Sequence, residues 1–159
     1  MKNLFILFTI LFSAALVAQT HEMITHDSIK MDVNFIKMEN NLIYFALPGS
    51  SEEKKISQYA VAQLHTKKAT DSEQISEKIN VIAKSDYKKV IILKESQTIG
   101  LKKSGVITSF YGKTKGETNI SFTDGGEKRL KENAALKGYP FIVILSNKPN
   151  DIKAAVYTY

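Results

Sequence analysis

Residues 2–18 constrain this chain more than any other stretch. Lys2 supplies a positive charge, residues 4–11 run Leu-Phe-Ile-Leu-Phe-Thr-Ile-Leu, and residues 12–18 taper through small side chains to Ala18. A charged start, an apolar run and a small-residue end, in that order, match an export signal. The run is about 14 residues long and is interrupted by Thr9 and Ser13, whereas a membrane-spanning helix needs roughly 20 apolar residues. Cleavage is expected between Ala18 and Gln19, with Leu16 and Ala18 at the −3 and −1 sites. Removing 18 of the 159 residues leaves 141 to fold outside the cytoplasm, in a periplasmic or secreted setting. The longest later apolar run is only Phe141-Ile142-Val143-Ile144-Leu145, so no transmembrane segment is expected in the mature chain.

The chain contains no cysteine. Disulfides, thiol nucleophiles, thiolate metal sites and a lipid-bearing cysteine are therefore all excluded, and the fold must rest on its apolar core. A length of 141 suits one compact domain or two closely packed lobes. Loss of Lys2 takes the formal charge from +6 to +5. The cations read as lysines spread along the chain, with Arg129 the single arginine. Base-reading proteins favour clustered arginine, so no nucleic-acid partner is expected. The expected partner is an envelope component, either a protein or an anionic glycan. No cofactor is expected.

Hydrophobic periodicity divides the chain into a small N-terminal β module (19–66), a polar linker (67–76) and an α+β lobe (77–159). Residues 21–28 read as a polar lead-in. In 29–38 Ile29, Met31, Val33 and Phe35 alternate with polar residues, which predicts a strand. Glu39-Asn40-Asn41 reads as a tight turn and 42–47 as the returning strand. Residues 52–65 fit either a helix through Ile56, Tyr59, Ala60 and Leu64 or two short strands around a helical turn; the second reading is preferred. Beyond the linker, strands are expected over 77–83, 87–93 and 119–122, and 99–111 reads as one long strand or a bent pair, with Gly100 and Gly105 marking bulges or turns. One principal helix is expected over 126–137. Thr123 or Asp124 would cap it, Gly125-Gly126 would open it, Leu130, Ala134 and Ala135 would face the core, and Gly138 would stop it. A central strand (139–146) and a final strand (152–159) complete the pattern. The fold class is α+β: two layers, with a mainly antiparallel sheet and that one helix.

Chemical motifs are sparse. Gly112-Lys113-Thr114 lacks the upstream glycine of a phosphate loop, because Ile107 stands there. His21 and His26 are five apart, not the four that place two zinc ligands on one helix face. After cleavage the chain would begin Gln19-Thr20-His21. A free amine, two backbone amides and the His21 imidazole could then offer Cu(II) or Ni(II) a square-planar nitrogen set, unless Gln19 cyclises. There is no Gly-x-Ser-x-Gly elbow, and with two histidines in the lead-in only His65 remains for a triad. No catalytic residue is assigned. A non-enzymatic binding or structural role is expected; the alternative is a hydrolase or glycan-active enzyme whose site assembles only in three dimensions. Tyr59, Phe110, Tyr111 and Tyr139, beside Lys102, Lys103, Lys113 and Lys115, form the first candidate interface.

Lys30-Met31-Asp32-Val33, Asn41-Leu42-Ile43-Tyr44-Phe45, Lys55-Ile56-Ser57 and Ala60-Val61 together resemble a β module of small exported bacterial envelope proteins. Leu130-Lys131, Ala134-Ala135, Gly138, Phe141 to Leu145 and Ala155 to Tyr157 resemble the β-α-β-β core of Rcs-type envelope stress-sensor lipoproteins, without their lipid-acceptor and disulfide cysteines. The resemblance implies a fold and an envelope setting, and no site residues.

Overall fold

The computed structural model describes residues 20–67, 72–112, 114–116 and 118–159. The leader, with Ala18 and Gln19 at its expected cleavage point, lies outside them. The fold is α+β, built from two largely antiparallel sheets and one long helix. No helix among the described residues is long and apolar enough to cross a membrane.

The first sheet contains β1 (Thr20–Thr25), β2 (Lys30–Glu39), β3 (Leu42–Ala46), β4 (Glu53–Ser57), β5 (Val61–Thr66) and β6 (Ser72–Gln74). Their order is β4-β3-β2-β1-β5-β6, antiparallel throughout. Asn40 and Asn41 both take positive φ (54° and 62°) between the paired Glu39 and Leu42, which is the backbone a two-residue hairpin requires. Residues 52–65 resolve as strand, 3-10 turn (Gln58–Ala60) and strand. Met23, Val33, Ile43, Ile56, Val61 and Leu64 form the core of this sheet.

One expectation for this region needs correction. The polar lead-in is strand β1, which lies between β2 and β5. Met23 is fully buried and Thr25 nearly so, and the Thr25 hydroxyl accepts a hydrogen bond from the Ile29 amide at 3.1 Å. Its two large apolar residues, Met23 and Ile24, are adjacent and so fall on opposite faces of a strand, which leaves no apolar alternation to reveal it. The stretch read as a linker contains β6, whose Gln74 pairs with Gln63 of β5.

The second sheet has the order β7-β9-β10-β8, from β7 (Ile91–Ile92), β8 (Lys102–Ser109), β9 (Phe141–Lys148) and β10 (Asp151–Thr158). β7 runs parallel to β9 and the other pairs are antiparallel. Ile142, Ala154 and Val156 face helix α1 (Asn119–Leu136) and its Leu130 and Ala134. Phe141, Val143, Ala155 and Tyr157 point the other way, onto Ile79, Leu93 and Leu101 and onto Tyr59 from the first module. Cover on both faces explains why β9 and β10 read as nearly continuous apolar runs. Leu130 is fully buried, so truncating it to Ala would cost about 2–5 kcal/mol.

Helix α1 begins at Asn119, not near 126, and residues 119–122 are its first turn rather than a strand. The Thr118 hydroxyl accepts from the Ser121 amide at 3.1 Å, and Phe122 is buried against the sheet. Gly125 and Gly126 lie inside the helix. A Cβ on Gly126 would sit 2.0 Å from Asn147 Oδ1, and one on Gly125 would sit 2.6 Å from the Tyr111 ring. Close approach, and not helix initiation, is what requires them. Leu130, Ala134, Ala135 and the Gly138 stop (φ 78°) are as the periodicity predicts.

Residues 77–83 join no ladder, and Lys84–Lys89 form a 3-10 segment that confines the expected 87–93 strand to 91–92. The Asp86 carboxylate anchors that segment. It takes a bond from Lys89 and accepts from the Ile82 and Ala83 amides at 3.1 and 3.2 Å. The Lys89 ammonium, then those amides, pull its pKa down to about 2. In β8, Val156 pairs with Gly105 but Tyr157 pairs with Lys103, so Ser104 is the extra residue of a bulge beside Gly105.

Candidate functional site

His21 lies in β1, opposite Val33 on one side and Thr66 on the other, and meets Phe35 edge-on at 5.7 Å. A square-planar nitrogen set would need its backbone amide turned inward and deprotonated. With a strand on either side, that amide instead faces a neighbouring strand. Gln19, which would supply the amine, lies outside the described residues. No cluster of three or more His, Cys, Asp or Glu side chains among the described residues could hold a metal ion.

The fold brings together one histidine–serine pair that sequence reasoning missed. His26 Nε2 lies 2.8 Å from Ser76 Oγ, although 50 residues separate them. Ser76 Oγ also donates to the Val61 carbonyl at 2.8 Å. A hydroxyl carries one proton. With that proton on the Val61 carbonyl, Ser76 accepts from His26, and Nε2 is the protonated nitrogen of the ring. A nucleophilic serine needs the opposite arrangement, with its proton directed at the base. The His26 ring also meets Tyr159 edge-on at 4.6 Å, and the Tyr159 hydroxyl accepts from the Ile79 amide at 2.8 Å. These contacts tie the end of β1 to the 76–79 connection and to the end of β10. Burial, then the Lys78 charge, holds the His26 pKa below its usual 6.5 against the weaker opposing pull of Asp27. Burial raises the Tyr159 phenol. The group works as a joint between lobes. The only sequence signal for it was the Met23/Thr25 alternation, which places His26 at the end of a strand.

A second cluster forms on the outer face of α1. Gly125, Lys128, Arg129 and Glu132 fall at i, i+3, i+4 and i+7, one stripe of the helix. Because Gly125 has no side chain, the Tyr111 ring lies directly against the helix there and packs on Phe122 at 5.5 Å. These residues and Lys84 line an open notch of about 300 Å³. Lys84 pairs with Glu132 at 3.1 Å yet keeps 59% of its side chain exposed. Lys128 Nζ stands 5.5 Å over the Tyr87 ring. The Arg129 guanidinium makes no ion pair or hydrogen bond with another described residue. Three cations thus converge beside one carboxylate.

The surrounding charge follows the same direction. Residues 77–159 hold 15 of the 22 Lys and Arg and 8 of the 16 Asp and Glu, a net +7; residues 19–66 hold 4 and 6, a net −2. The cations are therefore concentrated on the second lobe and not spread evenly. Of the aromatic residues first considered as an interface, Tyr59 packs on Phe141 at 5.6 Å between the lobes and Tyr139 packs against the helix core. Phe110 is 76% exposed, and Lys113 lies outside the described residues. Only Tyr111 joins cations at a concave site, and they are Lys84, Lys128 and Arg129 in place of the lysines expected. Comparison with protein-family models, with curated proteins and with solved structures finds no match.

Proposed function

We propose that this protein is an exported, non-enzymatic binding module that engages an anionic component of the cell envelope or its surroundings. The observation that carries this reading is the segregation of charge: net +7 on the helix-bearing lobe against −2 on the first module. Net charge of one sign on one lobe concentrates polyanions by long-range attraction and orients their approach. The leader-like residues 2–18 support export. The direction of the His26–Ser76–Val61 bonds argues against a serine hydrolase at the lobe joint.

The test uses the full chain expressed with its own leader in a bacterial host. The expected product is a mature chain beginning at Gln19, recovered from the periplasm or the medium. That product should be retained on immobilised dextran sulfate, elute only above physiological salt, and pass through neutral dextran. Retention on neither resin, or equal retention on both, overturns the polyanion reading. A full-length product in the cytoplasm overturns export.

A further inference from the structure

We propose that the notch at Gly125 is a subsite for one carboxylate-bearing sugar ring, with Arg129 as the anchor for the carboxylate. The inference rests on the polyanion reading above and gives it an address and a ligand class.

Glycine inside a helix costs roughly 1 kcal/mol relative to alanine. At position 125 it lets the Tyr111 phenol form the floor of a depression that any larger residue would fill. At about 300 Å³ the depression lies at the small end of ligand sites, the scale of a single ring. The apolar body of Tyr111 offers the C–H face of such a ring a surface, and the other side chains that line the notch are charged. Arg129 presents a planar fork of N–H donors that matches a carboxylate with two parallel bonds, and no described residue occupies it. Lys84 and Lys128 add donors from two sides.

Glu132 selects among anions. Its side chain is 14% exposed and lines the notch while holding Lys84. A second carboxylate repels a compact dianion such as phosphate but accepts hydrogen bonds from sugar hydroxyls. Three cations with one acceptor therefore suit a uronate, one negative charge on a polyhydroxylated ring, better than phosphate or sulfate.

The experiment titrates the folded, 15N-labelled chain with a galacturonate trimer, with the same trimer as its methyl ester, and with inorganic phosphate. The trimer should shift the amides of Tyr111 and of residues 125–132 in a saturable way. The ester and phosphate should bind at least tenfold more weakly. Arg129→Gln, at an exposed position, should weaken the trimer at least tenfold with an unchanged melting temperature, whereas Lys102→Gln, which removes the same charge from β8, should change it less than twofold. Equal losses in the two variants overturn the subsite while leaving the polyanion reading intact. Phosphate binding the same amides as tightly as the trimer also overturns it, in favour of a plain anion site. A wild-type chain that fails on dextran sulfate as well overturns both.

Discussion

Gly100 and Gly49 provide a paired test of how the two lobes join. Both have left-handed backbone, φ 86° and 78°. A Cβ at Gly49 meets nothing within 4 Å, whereas one at Gly100 would lie 2.5 Å from Ile56 Cγ1 and 2.8 Å from Ile56 Cδ1. Ile56 belongs to the core of the first sheet, and the Ser57 amide donates to the Ile99 carbonyl at 2.8 Å, so the 97–101 turn is clamped on β4. Alanine at Gly49 carries only the left-handed penalty, about 1–2 kcal/mol. Alanine at Gly100 carries the same penalty plus overpacking of about 1–3 kcal/mol, because Ile56 has a full shell of neighbours. The Gly100→Ala variant should therefore lose about 2–5 kcal/mol. At this chain length 1 kcal/mol moves Tm by about 3 °C, so thermal melts should show drops of roughly 3–6 °C for Gly49→Ala and 6–15 °C for Gly100→Ala. Urea titration should show the same order without a change in slope. Equal drops in the two variants would refute the account, since they would mean that the 97–101 turn does not press on the first sheet.

Two further outcomes follow from the same geometry. Thr118→Ala should cost about 1 kcal/mol by removing the cap on α1, while Thr123→Ala, inside the helix with its hydroxyl bonded back to the Asn119 carbonyl, should stay within about 0.5 kcal/mol; the reverse order in thermal melts would place the helix start near 126. His26 has a folded pKa below its unfolded value of 6.5, so the unfolded chain takes up its proton first. Its contribution to stability is complete above pH 6.5 and is lost as pH falls through that value towards the folded pKa, so His26→Gln should flatten the fall in Tm between pH 8 and 5, and an unchanged or steeper fall would count against the joint.

Much of the fold could be read from local chemistry. Asn40-Asn41 marked a hairpin because few residues tolerate two successive positive φ values. Leu130, Ala134, Ala135 and Gly138 marked the second half of α1 and its end. The first half was missed because Gly125-Gly126 looks like a break when helix propensity is the only guide. The reason for the pair is Tyr111 and Asn147, which arrive from β8's end and from β9. β1 is hidden in the sequence because its apolar pair, Met23-Ile24, shows no alternation, and its neighbours on either side come from β2 and β5.

The leader-like pattern of residues 2–18, the absence of cysteine, the excess of lysine and the strand-rich α+β class are properties of composition and short-range period, which need no partner residue to be visible. The notch, the His26–Ser76 joint and the direction of its proton are not of that kind. Arg129 is one arginine in a helix until Gly125 admits Tyr111 and the 84–89 segment brings Lys84 beside Glu132. His26 and Ser76 lie 50 residues apart. Contacts between elements depend on which faces pack together, and packing is decided by the whole core at once rather than by any stretch of chain.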